Sequence, residues 1–274
     1  MRTSMTCHIC NTPSNESFQV KVLFKYDVTY YRCHTCGFIQ TETPYWLPEA
    51  YESAITSLDI GLVSRNLRWA PTVEAIIRKW FVPKGPFLDY GGGYGLFVRM
   101  MRDRGFPFIR LDQYCDNLFA RQFDVSDLPD VKNYELVTAF EVFEHLADPV
   151  ATVDQMLQSG RSILFTTKVL PDPNVTPETW WYFIPETGQH VALYSLESLH
   201  RLAKRFGLQL YSDQRDLHLM TAKPINPTWF RWFTDLRKAN LYNYFHSYPA
   251  QSLLDDDFQK VYNSVRNQPL KNLI

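Results

Sequence analysis

The chain has 274 residues, of which 45% are hydrophobic and 15% aromatic, enough apolar material for one large domain and a small one. Its formal net charge of -1 argues against the basic surface that nucleic-acid binding requires. There is no run of about 18 apolar residues for a membrane span, and the first residues lack the apolar core of a signal peptide, so we expect a cytoplasmic protein with reduced cysteines.

Four of the five cysteines lie near the start of the chain in two C-x-x-C pairs, and they are Cys7, Cys10, Cys33 and Cys36. Two thiolate pairs with this spacing can close a tetrahedral zinc site. The gap between the pairs fits a β-hairpin with strands over residues 19–26 and 28–32. We therefore predict a structural zinc ribbon over residues 1–43. His8 and His34 lie inside the pairs and could replace a cysteine, but exposed positions are expected for both.

Residues 44–82 are predicted to connect the ribbon to a larger domain. Prolines interrupt the start of this segment, and apolar residues recur at helical spacing over 64–80, which predicts a core-facing helix that packs on a sheet. Three aromatic residues, Tyr45, Trp46 and Tyr51, precede the helix. Two interpretations of them stay open, since they could fold over a ligand pocket or pack between domains.

A glycine-rich turn follows the next predicted strand. An acid and three glycines occupy alternate positions there, and they are Asp89, Gly91, Gly93 and Gly95. Glycine adopts positive φ and lets a ligand approach the backbone closely. A segment with the pattern of a helix start follows at 96–102, and a strand, a glycine turn and a helix N-terminus together form a nucleotide-sized pocket.

The pattern Asp-x-Gly-x-Gly-x-Gly resembles motif I of class I S-adenosylmethionine-dependent methyltransferases. The dinucleotide-binding fingerprint differs, because its third glycine would fall at Leu96. By this resemblance the turn binds S-adenosylmethionine, which presents a sulfonium and a ribose instead of a pyrophosphate. The four residues of the turn are then cofactor contacts.

The second predicted strand, over residues 108–112, ends in Asp112. A carboxylate at this place can accept hydrogen bonds from ribose hydroxyls, and its position about 20 residues after the glycine turn favours that role over a simple turn aspartate. Gln113 is predicted to border the same pocket.

Residues 123–129 resemble the acid-x-x-x-Leu-Pro segment that faces adenine in the methyltransferase family. By that resemblance Asp124 accepts a hydrogen bond from the adenine amino group, while Phe123 or Val125 packs on the ring. From the sequence alone this segment is a polar loop.

A predicted strand ending at Phe140 is followed by Glu-Val-Phe-Glu-His-Leu at 141–146. The run resembles the motif after the same strand in small-molecule methyltransferases. Glu141 follows the carboxyl end of the strand, where ligands bind in open α/β sheets, so we predict that it contacts the cofactor and takes part in catalysis. Glu144 and His145 are predicted to orient the loop or to cap a helix.

A helix over 150–159 and a strand over 162–168 are followed by an insertion, residues 169–194, that is rich in proline and aromatic residues. Long loops at this edge of a sheet are usually functional. Aromatic faces there suit a sugar ring or another flat acceptor.

His190 belongs to a His-x-x-x-Tyr-Ser segment that resembles one facing the acceptor in several sugar methyltransferases. By that resemblance a neutral His190 takes the proton of the attacking acceptor, and the alternative is a histidine that caps a loop. Gln189 stands where sugar C-methyltransferases typically carry glutamate. A glutamine cannot act as a base, which argues against C-methyl transfer.

A helix beginning after Ser195 and strands over 208–211 and 217–222 resemble the reversed hairpin with which the methyltransferase fold ends. Residues 224–274 are predicted to form an aromatic-rich helical tail. Three placements of the tail stay open: over the acceptor site, on the N-terminal module, or at a subunit contact.

The sequence thus predicts an α/β protein with a Rossmann-like seven-stranded methyltransferase sheet in residues 83–223, a zinc ribbon before it and a helical tail after it. The resemblance implies methyl transfer from S-adenosylmethionine to a small molecule, with a sugar or surface-polysaccharide precursor as the expected acceptor. Two alternatives remain, a zinc-ribbon RNA methyltransferase and a non-catalytic binding protein that keeps the fold.

Overall fold

Two β-sheets and eight α-helices make up the described part of the chain, which is residues 4–53, 55–246 and 251–267 of the computed structural model. Both ends of the predicted domain layout, residues 1–3 and 268–274, lie outside the described residues. The strands are β1 (Ser4–Thr6), β2 (Pro13–Val22), β3 (Tyr26–Cys33), β4 (Ile39–Thr41), β5 (Phe87–Tyr90), β6 (Phe108–Leu111), β7 (Leu136–Phe140), β8 (Ser162–Thr166), β9 (Ala192–Leu193), β10 (Gln209–Ser212) and β11 (Leu217–Thr221). The α-helices are α1 (Leu47–Ala50), α2 (Leu62–Trp80), α3 (Leu96–Asp103), α4 (Pro149–Ser159), α5 (Leu196–Arg205), α6 (Pro227–Phe233), α7 (Leu236–Phe245) and α8 (Leu254–Asn267). Short 3₁₀-helices cover Val125–Asp127, Phe143–His145 and Trp181–Phe183.

The larger sheet has the strand order β10-β11-β8-β7-β5-β6. Strands β6, β5, β7 and β8 are parallel, while β11 runs antiparallel to both of its neighbours, β8 and β10. The reversed hairpin that the sequence predicts at the end of the sheet is therefore present.

The larger sheet has six strands in the described residues, and not the seven that the sequence predicts. Where a further strand beside β6 would lie, the chain forms only an isolated parallel bridge between Arg110 and Asp124. The pairing stops there because the chain turns at once into the 3₁₀-helix after Asp124, whose side chain and that of Asp127 form a capping box. A single turn of 3₁₀-helix replaces the outer strand.

Helices cover both faces of this sheet. Alternate residues of each strand point to opposite faces, so Phe87 packs with α2, α3, α6 and α7, whereas Leu88 packs with α4 and α5. The parallel strands are thereby buried on both sides, as is typical of α/β proteins.

Helix α2 extends beyond the sheet at its N-terminal end. The side chain of Leu67, predicted to face the core, is 57% exposed, while Ala70 and Val73 further along the helix are fully buried. The first turns of α2 line a cavity instead of the sheet, and Arg65 and Trp69 are among the residues that do so.

The C-terminal tail packs against α2 and α3. Thr72 Oγ1 donates to the Phe233 carbonyl at 3.0 Å, and Asn243 Nδ2 donates to the Pro71 carbonyl at 2.8 Å. Helix α8 is attached to α3 by a buried ion pair between Arg102 and Asp257. Three placements of the tail were open. The described tail residues do not lie over the predicted acceptor site, because none of them lines the cavity described below.

The smaller sheet joins the N-terminal segment to the insertion after β8. Its strand order is β1-β2-β3-β4-β9, and β9 pairs antiparallel with β4 through Ile39 opposite Leu193. Strand β9 follows His190 by one residue, so the smaller sheet ends next to that predicted catalytic residue. No helix of the described chain combines the length and the apolar character that a membrane span needs.

Candidate functional site

A cavity of about 860 Å³ opens at the carboxyl ends of β5, β6 and β7. Its wall combines the glycine turn after β5, the first turns of α2, the 3₁₀-helix after β7 and the insertion after β8. Ligands of open α/β sheets bind at this edge, so the topology places the cavity where the sequence predicts a nucleotide.

The glycine turn has the backbone conformation that its residue types predict. Gly91 has a φ of 68°, and a Cβ added there would lie 2.7 Å from Cγ2 of Val142, so no other residue fits without displacing that side chain. Gly91 and Gly93 line the cavity, while Gly95 begins helix α3 beneath the turn with a φ of 83°. Gly95 is absent from the described cavity lining and shapes the turn through its positive φ, while its contact with the cofactor stays a prediction.

Asp89 lies at the end of β5 with 3% of its surface exposed. Its Oδ1 accepts a hydrogen bond from Thr138 Oγ1 at 2.6 Å. Burial raises the pKa of the Asp89 carboxyl to about 7, against the opposing effect of the Thr138 hydrogen bond. The residue lines the cavity from below the turn.

Asp112 connects the two loops that line this part of the cavity. Its Oδ2 accepts the backbone N–H of Gly93 at 2.9 Å, and its Oδ1 accepts the N–H groups of Tyr114 and Cys115, both at 2.8 Å. The carboxylate is therefore held in place by backbone donors, with lone pairs left for hydroxyl donors of a ligand. The neighbouring Gln113 is exposed and lines the cavity, as predicted.

Phe123 and Asp124, which the resemblance places at the adenine, are not among the described residues that line the cavity, and their contact with adenine stays a prediction. Phe123 is 3% exposed and packs under the guanidinium of Arg102, 3.7 Å from its ring centre. Asp124 accepts a hydrogen bond from Arg110 Nη1 at 2.8 Å. Both side chains are engaged by arginines beside the larger sheet, which the local pattern could not reveal.

Glu141 follows β7 and lines the cavity with a backbone φ of 53°, a left-handed conformation that is uncommon outside glycine. Thr166 holds it there, since its Oγ1 accepts the Glu141 N–H at 2.9 Å and donates to Glu141 Oε1 at 2.7 Å. Arg65 Nε lies 3.6 Å from Oε2. Burial, together with the charge of Glu144, raises the pKa of Glu141 to about 7.

Glu144, His145 and His190 meet at the cavity wall, although 46 positions separate the first from the last. The rings of His145 and His190 are in edge-to-face contact with centres 4.9 Å apart. Tyr182 donates from its hydroxyl to Glu144 Oε1 at 2.6 Å. Burial lowers the pKa of His145 to about 4 and, together with the neighbouring His145, that of His190 to about 3, so both rings are neutral near pH 7.

The segment after α1 covers the cavity and is attached to the insertion. Gln189 Nε2 donates to the carbonyls of Ala50 and Ser53 at 2.8 and 3.1 Å. A glutamate at this position could not donate these bonds, so the departure from the sugar C-methyltransferase pattern has a structural role. Of the three aromatic residues before α2, Tyr51 lines the cavity and stacks on Tyr114.

Trp46 and Tyr45, the other two aromatic residues, behave differently. Trp46 is 1% exposed and donates from its indole nitrogen to the Gly188 carbonyl at 2.8 Å. Tyr45 is 58% exposed. Both are absent from the described lining, so packing between the segments is the interpretation that applies to Trp46.

The four paired cysteines form a compact cluster at one end of the smaller sheet. The Sγ atoms of Cys7 and Cys36 are 3.6 Å apart, those of Cys10 and Cys33 are 3.4 Å apart, and those of Cys10 and Cys36 are 3.6 Å apart. Four thiolates about 2.3 Å from one tetrahedral cation would be separated by about 3.8 Å, so the cluster has nearly the dimensions of a zinc site. Ser195, the N-cap of α5, donates to the Cys36 carbonyl and attaches the cluster to the larger domain.

Comparison with known proteins gives one family match. A family model described as a methyltransferase domain matches residues 64–213, which is more than half of the chain. No curated protein sequence matches the chain significantly.

Several solved structures are similar to part of this chain at low sequence identity. CalO1, described as a methyltransferase in calicheamicin biosynthesis in its SAH-bound form, is 16% identical over 64% of this chain and 61% of that chain, with a TM-score of 0.41. The mitomycin 7-O-methyltransferase MmcR is 14% identical over 58% and 55%, with a TM-score of 0.42. An O-methyltransferase family protein from Burkholderia thailandensis is 13% identical over 59% and 57%, with a TM-score of 0.44. The chain thus spans less than two thirds of the length of each.

Proposed function

The chain belongs to the methyltransferase-domain family, and we propose that it transfers a methyl group from S-adenosylmethionine to an oxygen of a small-molecule acceptor. One observation carries the proposal: a single cavity is lined both by the glycine turn with Asp112 and by Glu141, Glu144 and His190. Donor and acceptor have to meet in one space for a direct transfer, and this cavity provides it.

The residues present fit S-adenosylmethionine. A Cβ at Gly93 would meet nothing closer than 3.8 Å, so the turn leaves open space on its cavity side. Asp112 presents a carboxylate fixed by three backbone donors, which suits the two hydroxyls of a ribose. When bound, the cofactor supplies an electrophilic methyl group on its sulfonium.

The chain contributes mainly alignment, because methyl transfer needs the attacking oxygen in line with the methyl group. Glu141 is held in an uncommon backbone conformation by Thr166, and strained residues of this kind concentrate at functional sites. His190 faces the acceptor and receives the hydrogen bond of its hydroxyl through the free ring nitrogen. Tyr51 and the segment after it exclude water from the reacting groups.

We infer a carbohydrate-like acceptor from one exposed aromatic face. Trp181 is 66% exposed and lines the cavity, so its ring is available for stacking against a sugar. The other three aromatic residues of that run, Trp180, Tyr182 and Phe183, are partly or fully buried and pack with the smaller sheet.

The four-cysteine cluster is proposed to bind one structural zinc. All four positions would be occupied by sulfur, so no open position is left for chemistry. The zinc would hold the two turns that contact α5, and through β4 and β9 it would support the chain around His190.

Calorimetric titration with S-adenosylmethionine tests the proposal. We expect one site per chain and at least tenfold weaker binding by Asp112→Asn, because hydrogen bonds to a charged acceptor contribute about 1.5–3 kcal/mol. Asp116→Asn changes an exposed acid of the same loop and should bind normally. A wild-type protein that ignores the cofactor at millimolar concentration would overturn the proposal.

Turnover separates the remaining alternatives. With a methyl acceptor in hand, His190→Ala should lower kcat while the cofactor Kd stays nearly constant. Equal loss of both quantities would remove His190 from the acceptor side. Cofactor binding without transfer to any acceptor would indicate a non-catalytic protein, and RNA binding with a steep salt dependence would indicate an RNA methyltransferase.

A further inference from the structure

Glu144, His145 and His190 form a cluster whose composition goes beyond what an acceptor hydroxyl requires. Each residue offers one ligand atom, and these atoms lie within 4.8 Å of one another. Three ligands about 2.1 Å from one six-coordinate cation, on the same face of it, lie about 3.0 Å apart. Small side-chain rotations would therefore bring all three onto a single ion.

Both histidines are oriented in the way that metal-binding histidines are. His145 Nδ1 is 3.1 Å from the Gln189 carbonyl, and His190 Nδ1 is 2.6 Å from the Tyr182 carbonyl. In a neutral ring the nitrogen beside a carbonyl must carry the proton, so Nε2 carries the lone pair in each case. A backbone carbonyl that fixes the tautomer is the usual outer partner of a metal-bound imidazole.

Glu144 supplies an independent observation. The residue is 1% exposed, its Oε1 accepts the Tyr182 hydroxyl at 2.6 Å, and its buried Oε2 accepts no hydrogen bond of normal geometry from the described residues, although the Thr167 hydroxyl lies near the carboxylate. A buried carboxylate oxygen without a partner is costly. A cation at the cluster would satisfy it, with Tyr182 holding the other oxygen.

We propose that Glu144, His145 and His190 bind one divalent transition-metal cation of the Mn²⁺, Fe²⁺ or Co²⁺ type. Two imidazoles and one carboxylate leave several coordination positions open, as in other two-histidine, one-carboxylate sites. This site is separate from the four-cysteine cluster, where sulfur ligands suit zinc and leave no open position. Metal binding here does not depend on the proposed function, but its role in catalysis does.

The open positions define the class of acceptor. A hydroxyl with a second oxygen on the adjacent carbon, as in a sugar diol or an α-hydroxy acid, can fill two of them. A bound cation lowers the pKa of a coordinated hydroxyl, so the acceptor loses its proton to solvent. The acceptor oxygen then forms a bond to the methyl carbon as the carbon–sulfur bond breaks, giving the methyl ether, neutral S-adenosylhomocysteine and the released proton. In this arrangement His190 is a ligand and not the base.

Manganese is the probe, because Mn²⁺ competes poorly for thiolates and leaves zinc at the cysteines. The full-length protein, stripped of loosely bound metal, is titrated with Mn²⁺ by calorimetry and by electron paramagnetic resonance. We expect one saturable site, with at least tenfold weaker binding in Glu144→Gln, His145→Ala and His190→Ala. His200→Ala removes an exposed histidine and should bind as the wild type does.

A spectroscopic measurement on the wild-type protein tests the proposal even if the variants fail to fold. Pulsed resonance of wild-type protein with Mn²⁺ should show coupling to two imidazole nitrogens. No saturable site, no nitrogen coupling, or unchanged affinity in all three variants would overturn the proposal.

Asp112→Asn distinguishes a failure of the metal proposal from a failure of the proposed function, because this variant should lose S-adenosylmethionine binding and keep Mn²⁺ binding. With an acceptor available, turnover should stop with a chelator that spares the zinc and return with Mn²⁺. Full turnover without Mn²⁺ would overturn the catalytic role and leave His190 as the base.

Discussion

Arg110 Nε donates to the carbonyl of Gly93 at 2.6 Å and thereby links strand β6 to the glycine turn. The same guanidinium bonds Asp124 at 2.8 Å and the Cys115 carbonyl, while only 3% of the residue is exposed. One buried arginine thus joins the turn, the Asp112 loop and the start of the 3₁₀-helix. The shape of this side of the cavity depends on it.

Arg110→Lys should loosen this junction. A lysine has one donor group in place of the planar fork and cannot reach all three acceptors. We expect a loss of about 1–3 kcal/mol in the free energy of unfolding, because at least one buried carbonyl loses its hydrogen bond while a positive charge beside Asp124 is kept, and weaker S-adenosylmethionine binding. Urea denaturation and calorimetry measure both effects. Arg121→Lys, at an exposed position nearby, is the control and should change neither.

Gly91→Ala should weaken cofactor binding at least tenfold through a clash with Val142. Gly207→Ala is a matched control, because Gly207 has almost the same φ, 69° against 68°, but open space around an added Cβ. Both variants carry the left-handed strain of about 1–2 kcal/mol, so the difference between them isolates the clash. Calorimetry gives the affinities, and addition of Val142→Ala to Gly91→Ala should restore binding. Equal affinities for the two single variants would contradict this account.

We expect ionisation of Asp89 to lower the free energy of unfolding as pH rises from about 4 to 7. Its pKa of about 7 in the folded state lies above the ordinary 3.8, so the folded state binds the proton more tightly in that range. The stabilisation is complete below the ordinary pKa and is lost as pH rises through the folded-state pKa. Between pH 5 and pH 8 the loss from this group is about 2–3 kcal/mol.

Asp89→Asn removes this titration and keeps an oxygen acceptor for Thr138. The wild type should therefore lose more stability than the variant between pH 5 and pH 8, measured by urea denaturation at both values. Parallel pH profiles for the two proteins would show that Asp89 is already ionised at low pH.

The zinc content of the purified protein should be close to one ion per chain. Cys10→Ser should lower this content and the melting temperature, because one of the four sulfurs is lost. Cys115→Ser replaces the fifth cysteine, which lies outside the cluster, and should retain the metal. Elemental analysis with a thermal melt of each variant provides the measurement, and full zinc content in Cys10→Ser would contradict the assignment of that ligand.

Much of the glycine-turn side of the cavity could be predicted from the sequence because its signals are local. The alternating glycines and Asp89 lie within seven residues, and Asp112 ends the following strand, so strand order alone brings them together. The C-x-x-C pairs are equally local, and a hairpin is enough to close them.

The remainder depended on contacts between distant residues. The resemblance places Phe123 and Asp124 at the adenine, and the sequence gives no sign of their contacts with Arg102 and Arg110 beside the sheet. The sequence predicts that Glu144 orients a loop or caps a helix, and its partner Tyr182 comes from an insertion with no periodic pattern. A proline-rich segment has no regular spacing from which the contact between Tyr182 and Glu144 could be inferred.

Strand β9 is only two residues long, yet its pairing with β4 limits how far the protein can be truncated from its N-terminal end. A fragment that starts at residue 64, where the family match begins, would lack Ile39 and Gln40 and leave Leu193 and Ala192 without their strand partners. It would also delete Tyr30, whose hydroxyl reaches the backbone carbonyl of His190. Such a fragment would keep the glycine turn and lose the smaller sheet that supports the chain around His190, so we expect methyl transfer only from fragments that include the first forty-odd residues.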